Sequence, residues 1–522
     1  METRKLSPDL SVVGQIQPDD VGNIAAAGYK SIICSSPDGE EASQPAWATV
    51  AHAAKAAGLS ARYIPVGGDH SIKDQRSAFA TALAEMPAPI LAYCKTGNRC
   101  VDLFAAVQAD AGAKGMKNAR HHHILIAGGG SAGIATAASI LQRSAGVDIA
   151  LIEPKTEHYY QPGWTMVGGG IFDKKDTCRS EASVMPDGVT WIEAAVTRFD
   201  PESKSVELND GSRITYDLLV VAMGNRLAWD EIEGLEATLG RNNVTSNYRY
   251  DLAPYTWELV KQTRSGRALF TQPPMPIKCA GAPQKAMYLS CSEWEKQGLL
   301  NKLDIEFHNA GGAIFGVEEY IPALMETVER YGIDLAFGSN LVRVDGPNRK
   351  AWFATADGEV ERDFDMLHVC PPQKGNAIVA KSPLADDAGY AEVDQHTLRH
   401  MRYPDVFALG DCCSTPNAKT MAAARKQAPV VAENALAVLK GKQPEANYDG
   451  YGSCPLTVEN GKIVLAEFLY GGKVAPSFPK WLINGSRPSR LAWQLKTQAL
   501  PWIYWHGMLK GREWLAKPAS RF

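Results

Sequence analysis

Gly128, Gly130 and Gly133 stand directly after the apolar run ILIA and directly before the helix-like stretch IATAASILQ. A strand that turns through G-x-G-x-x-G into a helix leaves few architectures open. The glycines permit a tight turn and close approach of backbone to a pyrophosphate, and the helix N-terminus, which Ser131 opens, adds partial positive charge. Glu153 ends the next apolar run, DIALIE, where a carboxylate can hold a ribose 2′-hydroxyl. The chain is therefore expected to be α/β, with a dinucleotide held by Gly128, Gly130, Ser131, Gly133 and Glu153.

The 522 residues suffice for three or four domains with their own cores. With 45% hydrophobic and 21% charged residues the chain reads as globular, and a net charge of −4 gives no reason to expect nucleic acid as a partner. The ten cysteines are too dilute for a disulfide scaffold, and no C-x-x-C pair suggests zinc or thioredoxin chemistry, so a cytosolic, mostly reduced set is expected. No metal is expected at His121–His123, because adjacent strand residues point to opposite faces. No secretory signal opens the chain, and no run of 18 apolar residues exists. Contact with a membrane would have to be peripheral.

Residues 1–112 alternate strand-like runs (SVVGQI, KSIICSS, ARYIPV, PILAYC) with helical spacing, as in AWATVAHAAKAAG, and predict a small α/β layer. Residues 113–120 read as a linker. Residues 121–474 hold two dinucleotide-domain-like halves, the second inserted at about 240–365, and 475–522 form an aromatic, basic tail.

A second nucleotide site in the inserted half looks altered. The strand RALFTQ runs into PPMPIKCAGAPQKAMYLS, where Pro273, Pro274, Pro276 and Pro283 replace a smooth glycine turn. Each proline removes an N–H that a phosphate would use. NADH is disfavoured as the electron donor.

TYDLLVVAMG, ending at Gly224, and YPDVFALGD, ending at Gly410 and Asp411, resemble the later flavin-binding segments of two-dinucleotide-domain flavoproteins. With HYYQPGWTMVGGG, PIKCAGAPQKAMYLS, GAIFGV, HVCPPQ, ALGDCCSTPNAKT and DGYGSCPL, the chain from about His123 onward resembles sulfide:quinone oxidoreductase, in the branch shared with mitochondrial enzymes. The resemblance implies FAD, with Asp411 at the ribityl chain and Lys419 facing the reduced ring. It also implies that Cys279 and Cys412 are the redox-active pair that bridges a sulfur atom, takes sulfide and hands electrons through FAD to ubiquinone or menaquinone. The sulfur would leave to an acceptor such as glutathione or sulfite. Lys278 and Lys285, close in sequence to Cys279, would favour its thiolate. Ordinary packing is the expectation for Cys178, Cys291, Cys370, Cys413 and Cys454. The alternative is an NADH:quinone oxidoreductase.

Cys94 ends the strand PILAYC and opens the loop C-K-T-G-N-R, with Arg99 as a forked donor and a helix following. Such a loop favours a thiolate and binds an anion. The spacing resembles a rhodanese-type persulfide loop, one residue shorter than that of protein tyrosine phosphatases. The segment LSVVGQIQPDDVGNIAAAGYKSIICSSPDGEE resembles a small bacterial family with a phosphatase-like fold and probable sulfurtransferase activity. Cys100 stands where many members carry serine or threonine. Sulfur transfer at Cys94 and Arg99, phosphatase chemistry, and a non-catalytic redox-sensing docking module all remain open at this stage.

From Pro479 onward lie five of the twelve tryptophans and eight basic residues against one acidic residue, Glu513. Tryptophan with basic residues at helical spacing predicts an amphipathic, membrane-binding tail through which quinone enters. The expected location is peripheral, on the cytoplasmic face of a bacterial inner membrane.

Overall fold

The computed structural model describes residues 3–68, 70–117 and 120–520. The chain divides into two compact units, Met1–Ala119 and Arg120–Phe522.

The first unit is built on a five-stranded sheet in the order Arg4–Lys5, Leu10–Val13, Ile90–Tyr93, Ser31–Cys34, Ser60–Tyr63, parallel except at the Arg4–Lys5 edge. The strands alternate faces as their period of two requires. Leu10, Val12, Ile90 and Ala92 pack with Phe79, Ala82 and Leu103, whereas Val13, Leu91 and Tyr93 pack with Val21, Ile24, Val50 and Ala54. The central strand Ile90–Tyr93 delivers Cys94 at its C-terminal end, ahead of the helix Asn98–Lys117. That helix runs through most of the segment expected to be a linker. Alanine, lysine and methionine there are strong helix formers, and each intervening glycine costs only about 1 kcal/mol.

In the second unit one sheet runs Val189–Ile192, Ile149–Ile152, Arg120–Ala127, Arg213–Val221, Ser205–Leu208, Val196–Asp200, with Val406–Ala408 pairing in parallel on Arg213–Val221. The helix Ser131–Arg143 leaves the strand Arg120–Ala127 through the glycine turn. It is buried from Ala132 to Ile140, because its alanines and glycine let it lie close to the sheet and to the helix Met421–Leu439. Ile134 and Ile140 are fully buried, a gain of about 1.5–3 kcal/mol each.

A second sheet is fully parallel in the order Val244–Thr245, Met366–His368, Gly266–Gln272, Leu303–Asn309, Ile333–Phe337. It carries the helix Ala282–Lys296. A hairpin, Gly452–Glu459 with Lys462–Phe468, packs on that helix.

The tail has two faces. Tyr504, Trp505, Met508 and Leu509 join the core of the first sheet, and Arg179 lies 4.2 Å over the Trp505 ring. Trp481, Leu491, Trp502 and Leu515 are exposed, Trp481 by 83%. Among the described residues no helix is long and apolar enough to cross a membrane.

Candidate active site

Three elements and the tail bring two cysteines and two lysines together. The proline-rich turn after the strand Gly266–Gln272 ends at Cys279, which holds a left-handed φ of 50°. Its N–H donates to the Lys419 carbonyl at 2.7 Å and its own carbonyl accepts from Ala282 at 2.7 Å. The helix starting at Ala282 places Lys285 one turn in, with Nζ 3.0 Å from Cys279 Sγ. The strand Gly452–Glu459 supplies Cys454, whose Sγ lies 3.6 Å from Cys279 Sγ. Gly281 makes that approach possible, since a Cβ there would meet Cys454 Sγ at 2.5 Å and Leu456 Cδ2 at 2.3 Å. The tail segment Leu495–Ala499 contributes Lys496, which is buried and donates to the Pro162 carbonyl at 3.0 Å.

The electrostatics divide the pair. The Cys454 thiol donating to Cys279, and then the charge of Lys285, hold the Cys279 thiol well below its usual range against the cost of burial. The same hydrogen bond, with burial, pushes Cys454 well up. Burial alone would lower Lys285, but the two sulfurs hold it above its ordinary value. Lys496 is brought down to about 7, first by burial and then by Lys285.

Cys412, expected as the partner of Cys279, lies elsewhere. It is fully buried in the core of the first sheet, its Sγ 3.3 Å from the carbonyls of both Val221 and Leu409. Burial pushes its thiol up to about 12. In the turn Gly410–Cys412 successive side chains diverge: Asp411 is turned toward the charges of Lys278 and Lys419, and Cys412 back into the sheet. Cys454, assigned to ordinary packing from the sequence, holds the place beside Cys279. Its visible signal was the segment DGYGSCPL, already part of the resemblance. Cys413 hydrogen-bonds with Thr415 Oγ1 at 3.0 Å, and Cys370 is buried beside Tyr248.

The dinucleotide residues fit a bound flavin nucleotide. Gly128 has φ +106°, and a Cβ there would strike the Ala222 carbonyl oxygen at 2.6 Å. One at Gly133 would strike the Gly128 oxygen, whereas one at Gly130 would meet nothing within 4 Å. The backbone is thus closed where helix meets strand and open where a pyrophosphate would lie. Glu153 Oε2 accepts from the Gly129 N–H at 2.9 Å. Beside it Glu181 Oε1 is buried with no partner among the described residues, and burial raises this carboxyl. Glu181 was missed in the sequence, where a lone glutamate at a short helix start carries no signal. Gly224 and Gly410 both take positive φ, 67° and 75°. Asp411 is raised by burial, partly offset by Lys278 and Lys419. Lys419 Nζ donates to the Cys413 carbonyl at 2.7 Å and lies 4.5 Å from the Tyr390 ring centre. Ser131 Oγ shares a 2.6 Å hydrogen bond with Tyr504 of the tail, and Tyr504 another of 2.6 Å with His158, which reaches Glu181 at 3.1 Å.

In the first unit, Cys94 Sγ accepts from the Gly97 N–H at 3.1 Å. The Cys100 thiol and backbone N–H groups of Cys100, Thr96 and Arg99 outweigh burial and bring Cys94 down to about 5. Arg99 is present as expected, but Glu40 engages its fork.

A family model described as pyridine nucleotide-disulphide oxidoreductase matches residues 122–258. The mitochondrial sulfide:quinone oxidoreductase of Dictyostelium discoideum is 42% identical over 397 residues, 76% of this chain and 87% of that protein. The chain belongs to the sulfide:quinone oxidoreductase family. The enzyme of that name from Mus musculus is 36% identical over 75% of this chain and 87% of its own length. Membership of this family implies a flavin cofactor. Type II NADH:quinone oxidoreductase of Staphylococcus aureus is more distant, 25% identical over 69% of this chain. The solved sulfide:quinone oxidoreductase of Aquifex aeolicus shares the fold, with a TM-score of 0.63 at 19% identity over 76% of this chain and 92% of that one. A second family model, the phosphatase-like domain of beta-lactamase hydrolase-like protein, matches residues 2–111. The protein of that name from Agrobacterium fabrum is 36% identical over 109 residues, 21% of this chain and 25% of its own length.

Proposed function

We propose that this chain oxidises sulfide at Cys279 and Cys454 and delivers the electrons through FAD to a membrane quinone. The observation that carries the reading is the 3.6 Å sulfur pair with Lys285 against one member. Two S–S bonds of about 2.05 Å each can span up to about 4.1 Å, so the gap accepts one bridging sulfur atom. HS⁻ attacks Cys454 Sγ and forms a persulfide there. The bond from Cys454 Sγ to the bridging sulfur breaks, and Cys279 departs with that sulfur and the electron pair as a persulfide anion, stabilised by Lys285. Lys496, near neutrality in its affinity for protons, is placed to supply or take one beside the pair. FAD, when bound, supplies two-electron acceptance from the Cys279 sulfur and passage to quinone. Gly128, Gly130, Ser131, Gly133, Glu153, Gly224, Gly410 and Asp411 hold it, and Lys419 balances negative charge on its ring. The persulfide sulfur leaves to a small nucleophile such as glutathione or sulfite.

The exposed tryptophans and leucines of the tail, with Lys480, Arg487, Arg490 and Arg512 among them, support peripheral attachment to an anionic membrane surface and entry of ubiquinone or menaquinone from it. The cytoplasmic face of a bacterial inner membrane suits a reduced set of cysteines. In the first unit, Cys94 accepts sulfane sulfur: its thiolate attacks the outer sulfur of a persulfide, which leaves as a thiolate, and Cys94 becomes the persulfide.

An anaerobic mix tests the reading. Sulfide is expected to bleach the flavin and NADH is not; Cys454→Ser abolishes the response, whereas Cys412→Ala keeps it. Bleaching by NADH, or loss of sulfide response in Cys412→Ala with Cys454→Ser still active, overturns the assignment.

A further inference from the structure

Both cations flanking Cys94 are engaged by carboxylates from one short segment. Arg99 Nη1 donates to Glu40 Oε2 at 2.7 Å while Nη2 donates to the other oxygen, and Lys95 Nζ sits 2.5 Å from Glu41 Oε1. The forked pair is about three-quarters shielded, with Arg99 27% and Glu40 25% exposed. The segment is fastened on both sides of these glutamates: the Asp38 N–H donates to Tyr63 OH at 2.8 Å, Asp38 accepts from the Trp47 N–H at 2.7 Å, and Gln44 donates to the Pro37 carbonyl at 2.8 Å. Cys94 itself is 1% exposed.

The consequence is a matter of donors and charge. The loop N–H groups that would cradle an oxyanion converge on a single sulfur. The guanidinium that would take two more oxygens takes Glu40 instead. A phosphate ester brings close to two negative charges and three acceptor oxygens. To bind through both cations, it would have to displace Glu40 from Arg99 and Glu41 from Lys95 and then lie beside two unpaired carboxylates, an arrangement of the kind that rejects a wrong ligand. A sulfane-sulfur donor presents one sulfur atom to Cys94 and asks nothing of the fork.

We infer that Glu40 and Glu41 are specificity-determining residues that close the Cys94 cradle to oxyanions and reserve it for donors whose reacting end is a single sulfane sulfur. This rests on the reading of Cys94 as a sulfur acceptor, and it separates that chemistry from phosphatase chemistry on the same fold.

The test uses the full chain as wild type, Glu40→Gln, Glu41→Gln and the double variant. Inorganic phosphate and vanadate serve as probes that protect Cys94 from iodoacetamide, read by mass analysis of its peptide. The expected result is protection of the variants at concentrations at least about tenfold lower than in wild type, equivalent to about 1.4 kcal/mol. Hydrolysis of p-nitrophenyl phosphate is expected only in the variants. Equal protection of wild type and variants, or equal hydrolysis, overturns the inference. The single variants keep the test valid if the double variant does not fold. Loading of wild-type Cys94 with sulfur from cysteine persulfide is measured alongside. If loading fails while the variants gain protection, the carboxylate gate stands and the sulfane-sulfur reading falls.

Discussion

Replacing Lys285 by methionine removes the charge 3.0 Å from Cys279 Sγ while keeping an unbranched side chain of similar length. Two unit charges at 3.0 Å, with an effective dielectric constant of about 20, interact by about 5.5 kcal/mol. At about 1.4 kcal/mol per pKa unit this sets a ceiling of about 4 units on the rise of the Cys279 thiol. Lys496 takes up part of the loss. Lys285 is one of the groups that lower Lys496, so its removal lets Lys496 regain a proton and face the sulfur pair more fully charged. A rise of about 2 units or more remains the expectation, and a thiol raised by 2 units loses about 99% of its thiolate at pH values below its original midpoint. The assay is iodoacetamide modification of Cys279 in thiol-reduced protein across pH, followed by peptide mass. Lys285→Arg, which keeps the charge, should retain the low midpoint, and Lys285→Met should slow flavin reduction by sulfide at neutral pH. If the Lys285→Met midpoint moves by less than about half a unit, the positive charge is not what holds this thiolate, and the role given to Lys285 in stabilising the departing Cys279 sulfur loses its basis.

Cys94 should be modified by iodoacetamide with a midpoint near pH 5, its reactive thiolate present above that value and lost as pH falls through it; Cys100→Ala should move the midpoint upward, since the Cys100 thiol is the largest stabilising contact. A wild-type midpoint near the ordinary value of about 8.5 would refute this. Gly281→Ala should force Cys454 away from Cys279, costing about 1–3 kcal/mol by overpacking and most sulfide-dependent flavin reduction, with flavin retained. Full activity at an unchanged melting temperature would show that the close approach of turn and strand is dispensable.

The dinucleotide turn was legible because its requirements are local. A glycine at positive φ, a helix start and a strand-end carboxylate follow one another within a short stretch, and the structure places them at one corner. The sulfur pair was not local. Cys279 was recognisable from its own turn, but its partner is set by a hairpin 175 residues on, and nothing in linear spacing distinguishes Cys454 from Cys412. Adjacency to Asp411 drew the assignment to Cys412, yet successive residues of that turn face opposite ways, so one of the two had to be buried in the sheet. Lys496 and Tyr504 were counted with a surface-seeking tail, because a basic and aromatic composition does not reveal which side chains turn inward. The engagement of Arg99 by Glu40 was likewise hidden, as the two are 59 positions apart.

Lys496 and Tyr504 give the tail a standing that composition alone would not. Tyr504 closes the glycine turn at Ser131, and Lys496 charges the pocket of the sulfur pair. Trimming the tail to make a more tractable protein would remove a wall of the nucleotide cradle and a proton-exchanging group in the same cut. The first unit has its own sheet and core; the tail shares the core of the second unit. A substitution on the inward face of the tail therefore acts on the nucleotide turn and on the sulfur pair together.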